Sequence, residues 1–305
     1  MNARSFALIA NPHAGRGAAV RVMAETAAAL RAADRPVRAE LTASIGHAVE
    51  LAERASAAGE VAVAIGGDGI LRAVAAGASR HLGTMGIMPC GRGNDFARMV
   101  GIGNAAAGVR AGVAILLSGT ARAVDCLAVA PGLVAAATDL GHQVAVGNLY
   151  LGFDSLSNKL ANSLPATLGP LTYTYPALRV ALTMRPLEFR LVIDGTPEAY
   201  TGSGAVIANS AFYGRGIRVA PAADIHDGLL DVIMFLQQDR RRRVAALLAL
   251  RAGRHLGRSD VHHLQARHVQ IQVEPVLEAY SDGDPICRSP LTVWALPGAI
   301  TVLLP

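Results

Sequence analysis

One run, Val61-Ala62-Val63-Ala64-Ile65-Gly66-Gly67-Asp68-Gly69-Ile70, constrains the fold more than any other part of the chain. Its first half is apolar and β-branched, the pattern of a strand buried on both faces of a parallel sheet. It stops at three glycines around one aspartate, and helix-forming residues follow from Leu71 to Ala78. Glycines at a strand-to-helix turn let backbone N–H groups approach a ligand that a Cβ would hold away. Phosphate at such a turn also meets the positive end of the helix. An aspartate alone would repel phosphate, so Asp68 points to a bridging cation or a bound hydroxyl. A tight turn with an aspartate helix cap fits this stretch equally well, because short glycine-rich matches recur by chance.

The flanking sequence repeats the pattern. Ser5 to Ala10 reads as a strand ending in Asn11-Pro12-His13-Ala14-Gly15-Arg16-Gly17, and alanine-rich Ala18 to Ala33 reads as a helix. Val37 to Leu41 is extended, and Thr42 to Ser44 offers a cap for a helix from Ile45 to Ala58. Leu82 to Met88 is a fourth strand, followed by Pro89-Cys90-Gly91-Arg92-Gly93-Asn94-Asp95-Phe96-Ala97-Arg98. Asn94 or Asp95 caps a short helix to Val100, and Ala105 to Leu117 forms another. Strands alternating with helices over about 120 residues indicate a parallel sheet covered on both faces. Loops at the carboxyl ends of such strands gather in one crevice, so three glycine-rich turns are expected to converge on a phosphorylated ligand.

After Val124 the texture changes. Asp125 to Ala130, Gln143 to Phe153, Leu187 to Asp194, Gly204 to Asn209, Leu229 to Leu236 and Val261 to Val273 read as extended. Arg267, Val269, Ile271 and Val273 are expected on one side of a half-buried strand. This half reads as a mostly antiparallel sandwich, interrupted by helices around Asn158 to Met184 and Asp239 to Arg254. Residues 299–304 form a strand placed to return to the first half. The expected division is 1–123 with 298–305 for the first domain and 124–297 for the second.

Composition narrows the function. A net charge of +5, carried almost entirely by arginine, suits an anionic membrane or a phosphorylated ligand. Aromatic residues make up only 4%, with no basic-aromatic interleaving, which argues against a single-strand nucleic-acid platform, and no nucleic-acid partner is expected. Cys90, Cys126 and Cys287 show no metal spacing and fit a reducing cytoplasm. No apolar run approaches the ~18 residues of a spanning helix. Arg240 to Arg243 opens a basic amphipathic helix that reads either as a membrane-surface helix or as a solvated one. The apolar region from Leu160 to Leu182 either lines a lipid route or is core. His226, His262, His263 and His268 read as packing or surface residues.

The chain resembles the bacterial diacylglycerol kinases and their relatives, the sphingosine and ceramide kinases. The resemblance is carried by Asn11-Pro12…Gly15, Thr42 with Gly46-His47-Ala48, Gly66-Gly67-Asp68-Gly69, Gly91…Gly93-Asn94-Asp95-Phe96-Ala97-Arg98, the region from Ala208-Asn209 to Asp231-Val232, and Asp282-Gly283-Asp284. It implies an α/β domain with a parallel sheet, like that of NAD kinases and phosphofructokinases, joined to a C-terminal β-sandwich. Nucleotide is then expected between the two.

The resemblance further implies that Asn11, Pro12, Gly15, Thr42, Gly66, Gly67, Gly69, Arg92 and Asn94 serve ATP. Asp68, Asp95 and Asp125 would join the Mg²⁺ and water network. Asp224, Asp227 and the Leu229 carbonyl would hold a structural Mg²⁺. Asp284 would activate a lipid hydroxyl, although Asp282-Gly283-Asp284 taken alone reads first as an ordinary hairpin turn. The expected partners are ATP and a lipid at an anionic membrane surface, reached from the cytoplasm by peripheral association, with a homodimer left open. Five positions depart from the family pattern: Ile70 and Arg92 stand where threonine is usual, Leu71-Arg72 replaces an Asn-Glu pair, and Asp284 replaces a glutamate. The rival readings are a kinase of a soluble nucleotide or sugar, and a non-catalytic nucleotide or lipid sensor.

Overall fold

The computed structural model describes residues 4–134, 141–164 and 171–305. In the first half the strands are β1 (Phe6–Ala10), β2 (Val37–Leu41), β3 (Val61–Gly66) and β4 (Thr84–Pro89). They alternate with helices α1 (Ala18–Ala32), α2 (Ile45–Ala57), α3 (Asp68–Ser79), α4 (Asp95–Met99) and α5 (Arg110–Ser118). All four strands are parallel, in the order β2-β1-β3-β4. Every residue of β1 and β3 is buried. The period-two pleat divides them between two cores. Phe6, Leu8, Val61, Val63 and Ile65 pack towards α1 and α5, while Ala7, Ile9, Ala62 and Ala64 pack towards α2 and α3.

The second half begins with β5 (Thr120–Pro131), β6 (Gln143–Ala145), β7 (Asn148–Gly152), α6 (Phe153–Asn162) and α7 (Leu171–Thr183). Next come β8 (Leu187–Ile193), β9 (Thr196–Gly202), β10 (Gly204–Ala208), β11 (Phe212–Tyr213), β12 (Ile217–Arg218), β13 (Leu230–Phe235) and α8 (Arg240–Arg251). The last strands are β14 (Val261–Ala266), β15 (His268–Glu274), β16 (Glu278–Ser281), β17 (Asp284–Arg288) and β18 (Leu291–Leu304). Six strands form one antiparallel sheet in the order β14-β13-β10-β7-β16-β17. It faces β5, β8, β15 and β18 across a core that includes Leu127, Leu149, Phe189, Ile207, Val232, Val269 and Val293.

β18 joins the halves. Its end runs parallel to β4 (Thr301 beside Thr84), and its start runs antiparallel to β15 and β5. A single ten-stranded sheet therefore extends through the whole protein. β5 passes without interruption through residues 122–124, where the composition changes.

Several local expectations are corrected. The extended stretch from Val261 to Val273 is two strands of different sheets, broken at exposed Arg267; only Val269, Ile271 and Val273 turn into the core. The strand expected from Gln143 to Phe153 is interrupted, and Phe153 begins α6. Gly108, with φ +155°, divides the helix expected from Ala105 to Leu117 into a short 3-10 turn and α5. Part of the region from Leu160 to Leu182, residues 165–170, lies outside the described residues.

Candidate active site

The carboxyl ends of β1 to β4 all face one side. After β1, the Asn11 carboxamide accepts the His13 N–H at 2.9 Å and folds the loop back on itself. After β2, the Thr42 N–H donates to the Ala10 carbonyl at 2.9 Å, so Thr42 stands beside Asn11 and Pro12. The loops after β1, β3 and β4 touch. A Cβ on Gly15 would lie 2.3 Å from the Cys90 carbonyl oxygen, and one on Gly91 would lie 2.4 Å from the Gly67 Cα. Glycine is needed at both positions because two backbones approach there. The Asn94 carboxamide closes the third loop by bonding both the N–H and the carbonyl of Gly91, each at 3.0 Å.

Asp68 ties two of these loops together. Its carboxylate accepts the N–H groups of Asn94 and Asp95, both at 2.8 Å. The Asp68 carboxylate, at the start of α3, thus supplies the cap of α4: Asn94 holds the N-cap position as expected, but its side chain is turned back to Gly91. Burial and the neighbouring charge of Asp95 raise the Asp68 pKa, and the N–H donors oppose them. Asp95 in turn reaches the second half of the chain. It accepts the N–H groups of Arg215 (2.8 Å) and Gly216 (2.7 Å) and pairs with Arg98 at 2.5 Å.

The hairpin between β16 and β17 supplies the opposite wall. Asp282 and Gly283, with φ +53° and +96°, form its two-residue turn, a left-handed pair that suits the strand twist. Gly283 is anchored by Asn158, whose amide donates to its carbonyl at 2.8 Å. Asp284 is half exposed; it faces Gly69 and lies 3.6 Å from the guanidinium of the buried Arg72. Asp282 points inward. Desolvation, then the charge of Asp68, pushes its pKa up to about 7, against the pull of Arg72. Asp68, Gly69, Arg92, Gly93, Asp95, Asp282, Gly283 and Asp284 line one cleft of about 360 Å³ between the halves. Arg92 is exposed at its rim.

The diacylglycerol kinase catalytic domain family matches residues 5–129, and the YegS C-terminal NAD kinase beta sandwich-like domain matches residues 147–304. A diacylglycerol kinase of Mycobacterium tuberculosis (strain CDC 1551 / Oshkosh) is 33% identical over 304 residues, covering 97% of this chain and 94% of its own length. This chain belongs to the bacterial diacylglycerol and lipid kinase family. A Pseudomonas aeruginosa (strain UCBPP-PA14) protein named "Probable lipid kinase YegS-like" is 32% identical over 287 residues, 91% of this chain and 88% of that one. The crystal structure of a diacylglycerol kinase from Bacillus anthracis str. Sterne superimposes with a TM-score of 0.75 at 20% identity, covering 100% of this chain and 98% of that one. That likeness speaks for the fold.

Two groups of expected site residues lie elsewhere in this lipid kinase. Asp125 is 3% exposed and does not line the cleft. Its oxygens accept the N–H groups of Gly228 and Gly298, both at 2.7 Å, tying β5 to the loop before β13 and to the irregularity in β18. Asp224 and Asp227 lie in that loop. Each spends one oxygen on a local turn, accepting from His226 (3.0 Å) and Leu229 (2.9 Å), and the second oxygen of Asp227 accepts from the Gln265 amide at 3.5 Å.

Among the described residues, no three carboxylates, histidines or cysteines come close enough to cage an ion. Asp68 and Asp95 line one cleft, and one or two carboxylates are what Mg²⁺ takes from a protein when waters and substrate phosphates complete its shell. The 224–229 loop offers the Asp224 and Asp227 carboxylates, the latter with both oxygens already accepting hydrogen bonds, and the Leu229 carbonyl. The sequence reading missed Asp282 as a candidate proton acceptor. The signal was present as an aspartate in a left-handed turn position, but its partial burial depends on the bend between β6 and β7 that it faces: a Cβ on Gly147 would meet the Asp282 carboxylate at 2.0 Å.

Proposed function

We propose that this lipid kinase transfers the γ-phosphoryl group of ATP to a lipid hydroxyl, with diacylglycerol the leading acceptor. The observation that carries the reading is the convergence of two touching glycine turns with Asp68, Asp95, Asp282 and Asp284 in one cleft. Phosphoryl transfer needs positioning and charge neutralisation more than covalent help. Backbone N–H groups of the glycine turns and the Arg92 guanidinium receive the phosphates. Mg²⁺, when bound with the nucleotide, neutralises charge on the transferring group. Asp68 and Asp95 face that position, each already oriented by two backbone N–H donors.

Asp282 takes the proton of the acceptor hydroxyl. A base works best with a pKa near the operating pH, and Asp282 sits at about 7. The resemblance pointed instead to Asp284. That side chain is half exposed and held beside Arg72, a placement suited to orienting the hairpin. Residues 1–123 with 298–305 form the nucleotide half and 124–297 the lipid half in this reading. The 224–229 loop is assigned a stabilising Mg²⁺, supported by its two carboxylates alone. The name of the mycobacterial relative supports diacylglycerol, while the YegS-like name leaves the acceptor broader.

The test is transfer of labelled γ-phosphate from ATP to a panel of lipids by the purified chain. Phosphorylated diacylglycerol is the expected product. Phosphorylation of NAD or a sugar without lipid would favour the soluble-substrate rival. ATP binding without turnover on any acceptor would favour the sensor.

A further inference from the structure

Helices α7 and α8, which pack on each other, each expose apolar side chains that the cleft chemistry does not use. On α7, Tyr175, Leu178 and Leu182 are 46%, 48% and 47% exposed, and spacings of three and four place them on one side of the helix. On α8, Leu248 is 63% exposed. Clustered exposed apolar side chains mark an interaction site. Arg243 locks the two helices together: its guanidinium donates to the carbonyls of Ala181 (3.1 Å), Gln238 (2.7 Å) and Met184 (2.9 Å).

The same helices and their flanks expose Arg179, Arg185, Arg240, Arg241, Arg251 and Arg254. Arg179 donates to the Tyr175 hydroxyl at 2.7 Å; the other five side chains have no hydrogen-bond or ion-pair partner among the described residues. The acidic Asp239 is turned back to cap α8, accepting the Arg242 N–H at 2.9 Å. Leucines beside free arginines suit a surface that is apolar below and anionic above, which is the head-group layer of an anionic bilayer.

The two helices also flank a cavity of about 130 Å³, lined by the apolar Phe153, Ala161, Ala177, Ile217, Leu247 and Leu250 and by the polar Asp154, Ser157 and Arg251. Ala177 and Leu247 are the chain neighbours of exposed Leu178 and Leu248. At its inner side this cavity shares Tyr150, Asn158, Tyr213 and Gly214 with the active-site cleft.

We infer that the α7–α8 face docks on an anionic membrane, its leucines among the head groups and its arginines on lipid phosphates, and that the cavity beneath receives an acyl chain whose hydroxyl end reaches the cleft. The acyl-chain assignment rests on the lipid kinase reading; the docking does not.

The experiment is sedimentation of the full chain with vesicles of phosphatidylcholine, with and without phosphatidylglycerol, in the absence of ATP. Binding is expected only when phosphatidylglycerol is present. Neutralising Arg240, Arg241 and Arg251 to Gln should weaken it by about fivefold per arginine. The double variant Leu178→Glu/Leu182→Glu should weaken it roughly tenfold or more, with an unchanged melting temperature. Leu82→Glu, at a 69% exposed leucine elsewhere, should bind like the wild type. The double variant should lose activity on vesicle-borne diacylglycerol but keep it on a monomeric short-chain diacylglycerol.

Wild-type vesicle binding by the double variant overturns the docking proposal. So does gel filtration in which the double variant dissociates a dimer while vesicle binding persists. Equal loss of activity on both substrates overturns the acyl route. Loss of vesicle binding in a chain that phosphorylates no lipid would uphold the docking and refute the kinase reading.

Discussion

The inward carboxylate of Asp282 makes a prediction that joins activity to stability. Its folded pKa of about 7 stands above the unfolded value of 3.8. Between those values the native state holds a proton that the unfolded chain has released. Stability therefore falls as pH rises through that window. Roughly three pKa units at 1.36 kcal/mol each set a ceiling of about 4 kcal/mol. The cleft opens to water, and screening reduces this to about 1–3 kcal/mol. Asn resembles the protonated acid and does not titrate. Asp282→Asn should match the wild type in stability near pH 4 and exceed it by about 1–3 kcal/mol near pH 8. The same substitution should lower kcat by about 10²- to 10⁴-fold, while wild-type activity rises with pH through about 7. Urea denaturation of both proteins across this range, with kcat measured in parallel, is the assay. A stability difference that stays flat with pH refutes the electrostatic argument. An unchanged kcat refutes the assignment of the proton to Asp282.

Other expectations follow from the same geometry. Asp125→Ala strands one buried and one part-buried N–H donor and should cost about 2–4 kcal/mol, measured by denaturation; kcat per folded molecule should hold, and a selective loss of kcat would return Asp125 to the site. Gly91→Ala drives a methyl into the Gly67 backbone, so calorimetry should show weakened ATP binding in a chain that remains folded. Chelation should abolish turnover and added Mg²⁺ should restore it. If the 224–229 loop holds its own ion, Mg²⁺ will raise the melting temperature of the wild type but not of Asp227→Asn.

The parts of this protein that could be read from sequence are those whose cause is local. The apolar runs of β1 and β3 and the glycines that end them state a parallel sheet within a few residues. The Ser44 cap of α2, accepting the His47 N–H at 3.1 Å, is equally local. What escaped reading depends on partners far along the chain. Pro297 and Gly298 look like a strand terminator, yet β18 continues past them because the register with β5 shifts between Leu296 and Ile300. Asp282 and Asp284 differ by two positions and share a motif; only the facing Gly147, Asp68 and Arg72 give them different environments. Asp125 has the residue type of a metal ligand, but its burial and its two glycine N–H donors come from loops a hundred and more residues away.

β18 has a mechanical consequence. Many two-lobed enzymes breathe by swinging their lobes about a flexible joint, but here the lobes are stitched along a common hydrogen-bonded ribbon in which β4, β18 and β5 lie side by side. That ladder is itself interrupted between Leu296 and Ile300, where β18 passes from one half to the other, so any swing of one half against the other would bend the ribbon there and leave the pairs on either side intact.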